Sequence, residues 1–199
     1  MQTLIRGNSL EQNGEHYRIY TGKNTGIYLE IFSAMKNQLD VMLMRYSRVL
    51  FVRLDIRPKF YRSDNTDMSM YLHKLKKKLT KDYQSPVAYL WAREQNTSDR
   101  QHYHLILILN AHKVRHPAKI IKRAETIAEG WEWPKPFTPK NCYYLIKRED
   151  KKAYRDALYR GSYLAKAFTK SGKGKTAHNY GRSKIAPLPL KNTGEIQHG

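Results

Sequence analysis

Two apolar runs around a short polar stretch constrain this chain most. Val87-Ala88-Tyr89-Leu90-Trp91-Ala92-Arg93-Glu94 follows Pro86. After Gln95-Asn96-Thr97-Ser98-Asp99-Arg100 comes His102-Tyr103-His104-Leu105-Ile106-Leu107-Ile108-Leu109. Both runs are short and rich in β-branched, aromatic and other apolar residues, which is strand composition. The stretch between them is turn chemistry. Two strands around a short polar loop make an antiparallel hairpin, and the remaining segments have to pack on it.

Those segments alternate helix with strand. Ile27, Ile31, Ala34, Met35, Leu39, Met42 and Leu43 recur at helical spacing and predict an amphipathic helix over 25–46. Val49–Ile56, stopped by Pro58, reads as a strand, and Asp67–Asp82 as a basic helix. Pro117 suits the first turn of a helix that runs to Glu129. Gly130-Trp131-Glu132-Trp133-Pro134 is an aromatic loop, Tyr143–Ile146 a short strand, and Glu149–Lys170 a last helix. The expected fold class is α+β, with helices flanking an antiparallel sheet of about five strands. Residues 1–24 read as a polar, irregular segment and 25–170 as one domain. Residues 171–199 turn to Gly, Lys, Ser and Pro and read as a basic, flexible tail.

The charge narrows the function. Lys and Arg number 37 against 17 Asp and Glu, a net charge of +20 on 199 residues. Self-repulsion of that size is tolerated where the partner is a polyanion, and nucleic acid fits best. A membrane surface fits less well, because the basic residues are spread along the chain rather than opposite the apolar face of one helix. A single cysteine, Cys142, excludes a disulfide scaffold and a CxxC zinc site. No apolar run is long enough for a membrane span, and MQTLIRGNSLEQNGEHYR lacks an apolar signal core, so the expected location is the cytoplasm. Gly174-Lys175-Thr176 imitates the end of a phosphate-binding loop, but the position that requires glycine holds Thr169.

Within the hairpin, His102 and His104 lie two residues apart, so their imidazoles project from one face and Tyr103 from the other. Alone, the pair reads equally as two hydrogen-bonded structural histidines. Antiparallel pairing can bring Glu94 opposite them, with cross-strand Cβ atoms about 5 Å apart. Two imidazoles and a carboxylate form a mixed nitrogen and oxygen site with open positions, suited to Mg²⁺, Mn²⁺ or another divalent ion. Glu94 could instead be a solvated strand end or a partner of Arg93 or Arg100. Asp55 is a spare carboxylate with a structural or supporting role.

The last helix carries a second constellation. Tyr159, Tyr163, Lys166 and Lys170 fall within about 60° of one another on a helical wheel. A phenol is a weak nucleophile at neutral pH, with an ordinary pKa of about 10. A cation one turn away and a metal at the attacked phosphate address that weakness. The same stripe could also bind phosphates passively.

Taken together, these residues resemble the HUH endonucleases, the family of rolling-circle replication initiators, relaxases and related transposases. His102-Tyr103-His104 matches the family's histidine pair, Glu94 its third metal ligand, and Tyr163-Leu164-Ala165-Lys166 its Tyr-x-x-Lys motif. Many phage initiators carry a second tyrosine four residues later; here that position is Ala167, and Tyr159 lies four residues before. Over roughly 40–180 the chain is most similar to gene-two-type replication proteins of filamentous phages and to prophage proteins of the YagK/YfjJ kind. The resemblance implies metal-dependent nicking and joining of single-stranded DNA at a replication origin, with Mg²⁺ or Mn²⁺ held by Glu94, His102 and His104. Tyr163 would be the nucleophile, Lys166 would stabilise charge, and Tyr159 could be an alternate tyrosine. Arg160, Lys170, Lys173 and Lys175 would hold the backbone, and Trp131, Trp133, Tyr143 and Tyr144 are candidates for stacking on bases. A host helicase and polymerase would be partners. A non-catalytic DNA-binding regulator, or a transposase or mobilisation relaxase, remains an alternative reading.

Overall fold

The structure is a computed structural model, and it describes residues 2–20, 26–95, 99–167 and 178–185. The order of elements is β1 (Leu4–Ile5), β2 (Ser9–Gln12), β3 (Glu15–Arg18), β4 (Ile27–Tyr28), α1 (Leu29–Arg45) and β5 (Arg48–Ile56). These are followed by α2 (Thr66–Tyr83), β6 (Ala88–Glu94), β7 (His102–Asn110), α3 (Ala118–Glu129), β8 (Tyr143–Lys147), α4 (Lys151–Ser162) and β9 (Tyr180–Arg182). A 3-10 turn, Tyr163–Ala165, continues directly from α4.

The fold is α+β. Five strands form an antiparallel sheet in the order β8-β5-β7-β6-β9. The central strands are apolar on both faces, because helices cover both sides of the sheet. Ile106 and Ile108 of β7, with Val49 and Phe51 of β5, face α1 and α4 together with Leu39, Met42 and Leu158. Leu105, Leu107 and Leu109, with Leu50, Val52 and Leu54, face α2 and α3 together with Leu75, Leu79 and Ile120. Each such side chain removed from water contributes about 1.5–3 kcal/mol, which offsets the entropy of ordering the chain.

Four expected segments differ. Residues 1–24 are not irregular throughout. Ser9–Arg18 forms the β2–β3 hairpin, and Leu10, Tyr17 and Ile19 are buried in the α1–α4 core. The polar residues of this ribbon alternate with those three, and the pattern is too short to stand out. Of the tail, Tyr180–Arg182 pairs with β6 as an edge strand. A Cβ on Gly181 would lie 2.6 Å from the Trp91 ring, so only glycine lets β9 pass there. Lastly, the helix expected over 149–170 ends as an α-helix at Ser162. The expected helix over 25–46 likewise starts at Leu29, after the short strand β4.

Candidate metal centre

The β6–β7 register sets Glu94 opposite His102 and Ala92 opposite His104. The β5–β7 register sets Asp55 opposite His104. Strand alternation then puts Glu94, His102, His104, Asp55 and Arg53 on the α1–α4 face, while Tyr103 points to the other core. The ligating atoms of Glu94, His102 and His104 all lie within 4.8 Å of one another. Glu94 is 1% exposed and His104 3%, whereas the His102 side chain keeps 27%. The cluster therefore has a dry floor and one open side.

Hydrogen bonding prepares His104 as a ligand. Its Nδ1 lies 2.6 Å from Asp55 Oδ1. Burial opposes charge on Asp55, but the bond to His104 and the nearby Arg53 outweigh it and hold its carboxyl below the ordinary range. An ionised carboxylate only accepts, so Nδ1 carries the proton. The 3.4 Å approach of Arg53 to the same nitrogen is too long to alter that. His104 Nε2 faces Glu94 Oε2 at 3.0 Å, on the side of the ring away from Asp55. A metal-ligating histidine that passes its other N–H to a carboxylate is a familiar supporting arrangement. The donor set of two imidazoles and a carboxylate thus fits a divalent ion.

The nucleophile candidate sits over this floor. Lys166 Nζ donates to the Tyr163 hydroxyl at 2.6 Å and lies 3.0 Å from Glu94 Oε2. The Tyr163 ring is edge-on to His104 with centroids 5.1 Å apart, and the Arg53 guanidinium carbon lies 4.4 Å from its centroid. Tyr20 packs on the same ring at 5.0 Å. The approach depends on Gly161, where a Cβ would collide with Met35 Sδ and crowd Phe51. After the 3-10 turn, Lys166 forms a β-bridge with Ile27, and Ala167 N donates to Gly26 O. The chain leaving the turn is therefore tied to β4, which fixes the lysine backbone.

The structure brings Tyr163 and Lys166 together with Glu94, His102 and His104. It does not do so through one continuous helical stripe, because the helix has ended before Tyr163. Tyr159 stays on α4, and its ring lies against the Arg18 guanidinium at 4.6 Å. Trp131 and Trp133 do not join the site: they pack with Tyr71 on the α2–α3 side, with Tyr71 and Trp133 stacked at 5.5 Å. Tyr144 packs against Phe51, and Tyr143, at the sheet edge, against His116. Arg160 is half-buried on α4. Lys170, Lys173 and Lys175 lie outside the described residues. Arg53 was missed by the sequence reading. Its signal is a cation two residues before Asp55 in an otherwise apolar strand, and therefore on the same face.

Comparison with known families adds one finding. A family model of the YagK/YfjJ C-terminal domain matches residues 11–183. The chain belongs to this family. The match reaches from the β2–β3 hairpin to β9, so the YagK/YfjJ domain takes in part of each outer segment, 11–24 and 171–183. No curated protein and no solved structure matches the chain. No helix among the described residues is long and apolar enough to cross a membrane.

Proposed function

We propose that this YagK/YfjJ domain nicks and joins single-stranded DNA through Tyr163, as an HUH-type endonuclease that starts rolling-circle replication of a phage, prophage or plasmid. One observation carries the reading: the Lys166 ammonium touches both the Tyr163 hydroxyl and the Glu94 carboxylate. A phenol, a cation and a three-residue metal cluster thus share one small volume on a chain of charge +20. Phosphoryl transfer needs little more than positioning and charge stabilisation.

Mg²⁺ or Mn²⁺ held by Glu94, His102 and His104 supplies Lewis acidity at a phosphate oxygen. The remaining work belongs to the chain. Tyr163 Oη forms a bond to phosphorus as the bond from phosphorus to the 3′-oxygen breaks. The phenolic proton ends on that oxygen, giving a 5′-phosphotyrosine and a free 3′-hydroxyl. Lys166 sets positive charge beside the oxygens on which negative charge grows. Arg53 and Tyr20 hold the phenol ring, and Asp55 fixes the His104 tautomer. The 3′-hydroxyl then primes a host polymerase behind a host helicase, and reversal of the first step rejoins the strand.

The test is a labelled single-stranded oligonucleotide from the replicon's own origin, incubated with the chain and Mn²⁺ and run on a denaturing gel. The expected result is a covalent adduct that Tyr163→Phe abolishes and Tyr159→Phe retains. Binding without any adduct supports a DNA-binding regulator instead. An adduct lost only in Tyr159→Phe reassigns the nucleophile.

A further inference from the structure

The loop 57–65 between β5 and α2 combines a fixed backbone with outward-facing aromatic side chains. Arg93, 1% exposed, donates to Asp64 O and Arg62 O, each at 2.6 Å, and reaches Asn65 Oδ1 at 3.3 Å. Gln101, also 1% exposed, donates to Phe60 O at 3.2 Å and accepts from Arg62 N at 3.1 Å. Arg100 donates to Lys59 O at 2.9 Å, and Tyr103 to Asn65 Oδ1 at 3.0 Å. The loop backbone is thus held by three polar side chains of the β6–β7 hairpin, Arg93, Gln101 and Arg100, the first two almost fully buried.

Yet Phe60 is 66% exposed and Tyr61 46%. Aromatic side chains held in water by a loop this firmly tied are not filling a core. Their backbone is referenced to the metal cluster as well. Arg93 adjoins Glu94, and Gln101 adjoins His102. The ligands face one way and their neighbours, by alternation, hold the loop on the other. Phe137, 54% exposed, pairs its backbone with Asp55 at the same end of the sheet. Arg57, one residue past the last β5–β7 pair, is exposed.

We propose that loop 57–65 is a base-stacking platform, on which unpaired bases flanking the scissile phosphate stack on Phe60 and Tyr61 while Arg57 meets the backbone. This rests on the reading of the ligand as single-stranded DNA and adds where its bases go. Every base has a π-face, so such stacking tolerates sequence. Lys59 is paired with Glu132 and Arg62 with Asp67, so these two cations fix loop geometry rather than supply net charge. The aromatic faces therefore carry the recognition, and Arg57 supplies attraction.

The full chain is titrated, by fluorescence anisotropy, with a labelled oligothymidylate and with an abasic deoxyribose-phosphate strand of equal length and charge. Wild type is expected to prefer the strand with bases by about 10-fold or more. Phe60→Ala/Tyr61→Ala should lose that preference, weakening oligothymidylate binding while leaving abasic binding and the thermal midpoint unchanged. Tyr61→Phe, which keeps the ring, should retain it. A double variant that still prefers bases overturns the platform, as does a wild type that binds both strands equally; neither result bears on adduct formation at Tyr163. A wild type that binds neither strand overturns the platform and the single-stranded DNA reading together.

Discussion

Two faces of one sheet, made by the same strands, differ in what they hold. Toward α2 and α3, β5 and β7 present Leu54, Ile56, Tyr103 and Leu105, and burial pushes the Tyr103 hydroxyl up to about 12. Toward α1 and α4 the same stretch presents Arg53, Asp55, His102 and His104, joined by Glu94 from β6. Both faces are buried; the first holds Arg93 against the Tyr103 hydroxyl at 3.3 Å, whereas the second gathers two carboxylates, two imidazoles and an arginine. A strand that places charge and core on alternate residues costs stability on one side to hold chemistry there. The apolar face supplies the rigidity that lets the charged face be held in place.

The contrast can be broken first at the exposed ligand. His102→Ala should lower Mn²⁺ affinity by more than the ~10–100-fold typical of supporting residues, and remove the DNA adduct. Its stability should stay within about 0.5 kcal/mol, because the side chain is partly solvated. Isothermal calorimetry with Mn²⁺ and a thermal melt read both quantities. The converse is Leu105→Ala, next to His104 but facing the other way. It should cost about 2–5 kcal/mol of stability, measured by urea unfolding, while the folded fraction binds Mn²⁺ as tightly as wild type. Equal loss of metal binding in both variants would mean that the faces are not separable.

Smaller effects sharpen the same contrast. Asp55→Ala frees the His104 tautomer and should reduce Mn²⁺ affinity about 10–100-fold, and it should add little further loss when introduced into His104→Ala. The smallest effect lies on the helical layer of the apolar face. Arg123, hydrogen-bonded at 2.8 Å, holds the Asp82 carboxyl below its ordinary range. A carboxyl lowered on folding stabilises above its unfolded pKa and loses that contribution as pH falls through the folded one. Arg123→Ala should therefore lower the melting temperature only slightly at neutral pH, because solvent screens the pair. The gap between variant and wild-type melting temperatures should close on acidification below the usual carboxylate range.

Much of this was legible in the chain. The hairpin and the facing of Glu94 on the two histidines follow from period-two alternation, which survives folding unchanged. The meeting of Tyr163 and Lys166 was also legible, but for an incomplete reason. A helical wheel assumes that α4 continues, whereas it ends at Ser162, and the packing of Gly161 on Met35 and the bridge from Lys166 to Ile27 set where the chain goes. Neither can be read locally, since each depends on a segment more than a hundred residues away. Trp131 and Trp133 likewise depend on another segment, α2. Their aromatic character suggested bases, and in the fold both rings pack against Tyr71 of α2 while staying half-buried. Arg53 became meaningful only once β5 was known to lie beside β7.

The most direct measurement is ¹⁹F NMR of the chain grown with 3-fluorotyrosine, which labels all 15 tyrosines. The Tyr163 resonance is assigned by its loss in Tyr163→Phe, and those of Tyr71 and Tyr154 likewise. On addition of one equivalent of paramagnetic Mn²⁺, the account expects Tyr163 to broaden before any other assigned tyrosine and Tyr71, across the sheet, to broaden far less. A Tyr163 signal that stays sharp while Tyr71 or Tyr154 broadens would place the cation elsewhere and contradict the account.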